Sequence, residues 1–240
     1  MAESSLSLDI NSLRTEVGRF LGWGRTISNW STTQLNDFDD ISRRALREFY
    51  YPAIDANTPI YEWSFLRKLN TVTLGTNDID YTMPDDFSGT ILDNSVAYVT
   101  AGQNQLPMVK VSESDIRKLH ASDSTTKAFP KYYAIRNRNH DPTVGQRWEM
   151  TIYPKPSSAV NGVQIEFRYV FIPNELTNTN IYPVGGAMYS EVILASHLAQ
   201  AEATIDSDPN GPYSERFRAL LAQAVRNDIQ QKANARGGDA

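Results

Sequence analysis

Residues 187–205 constrain the chain more than any other stretch, because they read as a long helix with almost no polar face. Met188, Val192, Ala195, Leu198, Ala199 and Ile205 recur at helical spacing. Ile193 and Leu194 fall outside that stripe, and Ala201 and Ala203 leave little bulk elsewhere. A helix apolar on more than one side has to be covered on more than one side, within its own domain or by a neighbouring copy. The residues just before it read as strands, so its cover must come from farther along the chain. The nearest good helices are 214–233, directly after it, and two near the N-terminus. The pattern therefore predicts that both chain ends fold together, with the middle as an insert.

Those flanking helices carry their own start and stop signals. Asp9 is placed to cap a helix whose inward face is Leu13, Val17, Phe20 and Leu21, with Gly22 ending it. Ser31-Thr32-Thr33-Gln34 has the spacing of a capping box, and the helix it opens repeats Leu35, Phe38, Ile41, Ala45 and Phe49. Asp37, Asp39 and Asp40 precede Arg43, Arg44 and Arg47, an order that suits the helix dipole and predicts the pairs Asp39–Arg43 and Asp40–Arg44. The helix stops at Tyr51-Pro52, because a residue before proline avoids the helical region. Near the C-terminus, Pro212 suits a helix start, and Phe217, Leu221, Val225 and Ile229 form the inward face. Residues 233–240 lack an apolar pattern and are expected to order only on binding.

Between the helices the period changes to two. Val72 and Leu74, then Ile79, Tyr81 and Met83, flank Gly75-Thr76-Asn77-Asp78 as a hairpin, with Leu69 out of phase and Pro84-Asp85-Asp86-Phe87 ending it. Strands are expected at 96–100, 106–111 and 129–136, and Ser112 or Asp115 is placed to cap a short helix through Leu119. Trp148, Met150 and Ile152 alternate with polar residues, as do Val163, Ile165, Phe167, Tyr169 and Phe171, and Asn161-Gly162 is expected to turn the first run into the second. Residues 69–172 thus make a mainly antiparallel region of about 100 residues, enough for a sandwich or open barrel. The fold class expected is α+β: a helical bundle from residues 1–66 and 184–232, an inserted β domain at 67–183, and a tail at 233–240.

Catalytic chemistry finds few candidates. There is no cysteine, which removes disulfides, thiolate metal sites and cysteine nucleophiles. His120, His140 and His197 are far apart in sequence, and His197 lies in the most apolar helix, where a hydrogen-bonded structural histidine is the default. No phosphate loop, dinucleotide fingerprint or Gly-x-Ser-x-Gly occurs. Asp85-Asp86 as an acid–base pair competes with a simpler turn. Residues 206–211 match the first half of a calcium loop, but Phe217 stands where a bidentate glutamate belongs. We expect no enzyme, cofactor or metal site.

Two basic features are weighed against nucleic acid. Lys131-Tyr132-Tyr133 leading to Arg136-Asn137-Arg138 interleaves cations and aromatics, and Arg43, Arg44 and Arg47 share one helix. A solvated strand face and a dipole-matched helix end explain them more simply, and the net charge of −5 gives no general reason to hold phosphate. The aromatics Trp23, Trp30, Tyr50, Tyr51, Tyr61 and Trp63 cluster in sequence around the junction of the helical and sheet regions and are expected to be core packing there, with a protein–protein surface as the second reading. No signal peptide is visible and no apolar run approaches the roughly 20 residues that span a bilayer, so a soluble protein made in the cytoplasm is expected.

In succession, several segments resemble the head-to-tail adaptor (connector) proteins of tailed bacteriophages. They are the helix Leu-Arg-Thr-Glu-Val-Gly-Arg-Phe-Leu-Gly, Phe49-Tyr50-Tyr51-Pro52 and Tyr61-Glu62-Trp63-Ser64-Phe65-Leu66. Then come Tyr81-Thr82-Met83-Pro84-Asp85-Asp86-Phe87, with Met83 for the usual leucine, Tyr153-Pro154-Lys155-Pro156, and a strand ending Tyr169-Val170-Phe171-Ile172-Pro173. The alanine-rich C-terminal helix pair completes the series. The resemblance implies a virion protein at the head–tail junction that forms a homo-oligomeric ring, typically of twelve copies, beneath the portal. It implies portal binding through the helical domain and C-terminal segment, a surface for tail or neck proteins, and passage of DNA through the lumen during genome ejection without sequence-specific contact. Ala195, Ala199 and Ala203 are then candidates for close helix or protomer packing, and Lys232 and Arg236 for portal docking. The alternative is a β module that binds carbohydrate or another ligand on a helical platform.

Overall fold

The computed structural model describes residues 3–53, 59–100, 102, 105–206 and 210–236. Among the described residues five α-helices run in chain order: α1 (Ile10–Phe20), α2 (Thr32–Tyr50), α3 (Glu113–Ser122), α4 (Ser190–Asp206) and α5 (Pro212–Arg236). The chain divides into a helical unit, residues 1–66 with 173–240, and a β unit, residues 67–172, which holds α3. The architecture is α+β.

The helical unit is built as its caps dictate. The Asp9 carboxylate accepts from the Ser12 N–H at 2.8 Å, and Ser31 and Gln34 close both halves of the capping box on α2. Helix α4 packs against α1, α2 and α5, burying Val192, Ile193, Ala195, Ala199 and Ala201. Met188 and Ile205, expected in the apolar stripe, are exposed. Met188 sits in a single 3-10 turn before α4 (Ala187–Tyr189), and Ile205 lies in the last turn. Residues 173–186 run across α1 and α2: the Ile10 N–H donates to the Ile181 carbonyl at 2.8 Å, and the Val184 N–H donates to the Tyr50 hydroxyl at 2.8 Å. Helix α5 continues to Arg236, so residues 233–236 are helical.

The ion pairs on α2 differ from the expected ones. Arg43 reaches Asp40 at 2.9 Å, one turn back, rather than Asp39. The Asp39 carboxylate turns instead to Arg14 of α1 at 3.5 Å, whose guanidinium lies over the Phe38 ring. Tertiary packing thus takes one acid out of the intrahelical series.

In the β unit the strands are β1 (Arg67–Thr73), β2 (Asp80–Thr82), β3 (Phe87–Tyr98), β4 (Met108–Lys110), β5 (Lys127–Ala128), β6 (Tyr132–Asn137), β7 (Trp148–Tyr153), β8 (Lys155–Pro156) and β9 (Gln164–Phe171). Seven form a nearly closed, barrel-like sheet in the order β1-β9-β3-β4-β6-β7-β2, antiparallel except for β4 with β6, and β5 pairs with β8 separately. Met150, Ile152, Ile165, Phe167 and Tyr169 point into one core, as their alternation requires.

Two expected hairpins are absent. β1 pairs with β9 and β2 with β7, at opposite edges of the sheet, so Gly75-Thr76-Asn77-Asp78 crosses between edges instead of joining partners. β7 and β9 are not neighbours either, although Asn161-Gly162 does form a turn that the Val163 N–H closes on the Val160 carbonyl at 3.0 Å. The third strand begins at Phe87, nine residues ahead of its expected start, and its register against β9 slips twice. Gly89 sits in the first slip with φ +97°, and a Cβ there would meet the Trp148 ring at 2.7 Å, so both backbone and space demand glycine.

His197 lies wholly buried in α4. Its Nδ1 is 2.7 Å from the Ile193 carbonyl, which can only accept, so the proton sits there and Nε2 accepts from the Ser42 hydroxyl at 3.1 Å. Burial lowers its pKa from 6.5 to about 4, against the raising effect of the Ile193 carbonyl. Between those values the unfolded chain binds a proton that the folded chain refuses. Stability is therefore full above about pH 6.5 and falls toward about pH 4, by up to about 1.4 kcal/mol per pH unit. Urea unfolding across this window should show a flatter profile for His197→Gln than for the wild type; equal slopes would place the titration elsewhere.

Candidate assembly site

The small residues of α4 divide by position. Ala195 and Ala199 are buried, and Ala203 is half-buried. Ala199 and Ala203 line a hollow of about 380 Å³ shared with α2 and α5, together with Tyr51, Pro52, Phe217 and Leu221. Short side chains leave this space open, as close approach by another surface requires. The first turn of α5 is held by α4: the buried Glu202 carboxylate accepts from the N–H groups of Tyr213 and Ser214 at 3.0 and 3.1 Å. A carboxylate there answers the first orphan donors of α5 and its dipole. A Cβ on Gly211 would fall 2.2 Å from that carboxylate, so a larger residue there would have to displace the Glu202 side chain.

Lys232 is engaged within the helical unit. Its ammonium lies 3.0 Å from the Asp228 carboxylate and 3.1 Å from the Tyr61 hydroxyl, bonds the Glu62 carbonyl, and sits 4.3 Å from the centre of the Tyr61 ring. Asp228, fully buried, also accepts from the Tyr61 hydroxyl at 2.6 Å and from the Ser64 N–H and hydroxyl. Burial raises its pKa, but the bonds from Ser64, Tyr61 and Lys232 outweigh it and hold the group below the ordinary carboxylate value. Arg236 ends α5, and its side chain lies outside the described residues, as do residues 237–240.

Of the expected aromatic packing two groups form, whereas Tyr51 is exposed and lines the hollow beside α4. Trp63 contacts Phe49, Phe65, Tyr61 and Tyr189, with its indole N–H donating to the Phe49 carbonyl at 2.9 Å. Trp30 lies between Trp23 and Phe38, and Phe38 stacks on His197.

In the β unit, the adjacent carboxylates point to different partners. Asp85 faces Arg147 at 3.4 Å, whereas Asp86 accepts from Lys68 at 2.7 Å and Tyr169 at 2.6 Å. An acid–base pair is not formed. The cation–aromatic run along β6 is split across the sheet: Tyr133 is in the core, and Arg136 is bound by Glu149 at 2.7 Å and Asp80 at 3.2 Å. A polar groove of about 920 Å³ opens beside that triad, lined by residues 137–142 among others, with no Phe, Tyr or Trp among its described lining residues. Of the calcium-loop candidate, residues 207–209 lie outside the described residues. Among the described residues no group of three or more His, Asp or Glu side chains is placed to hold a metal ion, and no helix is long and apolar enough to cross a membrane.

Asp228 and Glu202 organise the helical unit, yet periodicity alone passes over them. The signal was present: Ser214, Phe217, Leu221, Ala224 and Asp228 follow helical spacing, and Ile229, one residue on, is half-exposed. A charged residue in phase with an apolar stripe marks a buried, partnered charge.

Two comparisons with known proteins bear on the whole chain. A protein-family model described as SU10 adaptor protein matches residues 8–239. No curated protein matches the sequence significantly.

Replacing Asp228 with Ala removes the shared acceptor of Ser64, Tyr61 and Lys232 in one step. We expect a loss of about 3 kcal/mol in urea unfolding with little change in m. A loss under about 1 kcal/mol would mean the network is solvated in solution.

Proposed function

The chain belongs to the SU10 adaptor protein family, a phage head–tail adaptor family, and from that premise we propose that it forms a ring between the portal and the tail or neck. A structural role in the virion follows from the family itself. The observation that carries the finer reading is that the match spans both helical ends and the β insert together, over residues 8–239. Twelve copies is the proposed number, and the site is the head–tail junction. In the ring the hollow over Ala199 and Ala203 supplies a surface for a neighbouring copy, with Ala195 setting the close packing of α4 beneath it. The genome passes through the lumen, and the net charge of −5 keeps phosphate from adhering to the wall.

Portal docking falls to the C-terminal segment. Because the Lys232 ammonium already serves Asp228, Tyr61 and Glu62, we assign docking to Arg236 and the residues after it, and give Lys232 the role of anchoring α5. The carbohydrate reading has less support, since the described lining of the large groove of the β unit holds no Trp, Tyr or Phe on which a sugar ring would stack.

Mixing the purified protein with its portal and imaging the product by electron microscopy tests the ring directly. Rings on portal are expected for the wild type. A chain lacking 233–240 should keep its melting temperature but lose portal binding, and undiminished binding would move docking elsewhere. Ala203→Trp, which fills the hollow from its floor, should melt within a few degrees of the wild type and fail to close rings; normal rings would show that this face is not between copies.

A further inference from the structure

Charge is divided unevenly between the two units. Residues 67–172 carry 12 basic and 11 acidic side chains, which leaves 11 basic against 17 acidic for the helical unit. The negative charge of the protein is thus a property of the helices, at −6, while the β unit stands at +1. Within the β unit, five of the 12 cations are spent internally: Lys68 on Asp86, Arg117 on Glu113, Lys118 on Asp115, Arg136 on Asp80 and Glu149, and Arg147 on Asp85.

Three lysines gathered at the meeting of β5, β6 and β8 are not spent this way. Lys127 and Lys155 are register partners across the parallel β5–β8 pair, which sets their backbones about 4.8 Å apart with side chains on one face. Lys131 is tied to the same place, its N–H donating to the Tyr153 carbonyl at 2.8 Å, two residues before Lys155. Lys127 and Lys131 are exposed and Lys155 is half-buried. Among the described residues none of the three has a carboxylate within ion-pair distance. Like charges in register do not stabilise a strand pair, and an anionic surface would supply the partners these lysines lack.

We propose that this lysine end of the β unit docks on the acidic helical unit of a second copy of the chain. Every copy brings both surfaces, so the contact is heterologous and repeats from one copy to the next. A duplex phosphate backbone is the competing anion, but the net charge of −5 on the whole chain opposes a polyanion, whereas the −6 helical unit of a sister copy offers carboxylates. The inference deepens the ring reading and depends on it only for closure; an open chain of copies would satisfy the contact and refute the ring.

The test uses the full chain. Equal amounts of unlabelled and nitrogen-15-labelled protein are treated with a zero-length carbodiimide cross-linker, and isotope-mixed peptides are identified by mass spectrometry. Mixed links from Lys127, Lys131 or Lys155 to carboxylates of the helical unit are expected, with self-association in sedimentation weakening about tenfold from roughly 50 mM to roughly 300 mM salt. The triple variant Lys127→Glu, Lys131→Glu, Lys155→Glu should lose both, with melting confirming its fold. A single Lys155→Glu variant gives the same readout at smaller amplitude should the triple variant unfold. Rings that assemble without these links would overturn the contact while leaving the ring intact. Salt-insensitive association, or a chain that stays monomeric, also overturns it. So does retained association in a variant that has lost affinity for a short DNA duplex, which would assign the lysines to phosphate.

Discussion

Helix α4 has hardly any face to offer solvent, and the helical unit is the solution to that constraint. Its middle is enclosed by α1, α2 and α5, two of which come from the far end of the chain. Burying Val192, Ile193 and their neighbours is worth about 25 cal/mol per Å² of apolar surface removed from water, a gain that exists only if the two termini meet. The polar residues on α4 are tolerated because each is answered: His197 by Ile193 and Ser42, Glu202 by the first amides of α5, and Ser196 by the Ile193 carbonyl at 2.7 Å.

What the sequence made legible follows from the range of the forces involved. Caps act within one turn, so Asp9, Ser31 and Ser112 could be read directly, and all three accept the backbone bonds their spacing implies. Alternation is equally local, and it marks the inward residues of β7 and β9. Strand partnership is not local. Gly75-Thr76-Asn77-Asp78 and Asn161-Gly162 are good turn sequences, but a turn sequence does not say whether the strands on either side of it will pair. The start of β3 was missed for a related reason: Ser88-Gly89-Thr90 is polar, and its place in the sheet comes from β9 and from the Trp148 ring over Gly89.

The candidate site was legible to a smaller degree. Spacing brought Ala199 and Ala203 to one side of α4, and the structure places both on the same hollow. Lys232 looked available because a lysine near a chain end usually is. Its actual neighbours, Asp228 one turn back and Tyr61 some 171 positions away, are a tertiary arrangement that no window along the chain reveals. The buried carboxylate favours this arrangement: breaking an ion pair with one member wholly out of water strands a charge.

The β unit enters and leaves the chain at one point. Arg67, its first residue, is the register partner of Val170, two positions before its last. Two strands hydrogen-bonded at their bases are only about 5 Å apart there, the span of a tight loop. The helical scaffold therefore meets the insert as a single short connection, and added length within the β unit leaves the span of that connection unchanged. Such modularity lets one half of the molecule diversify with whatever it meets while the other half stays fixed.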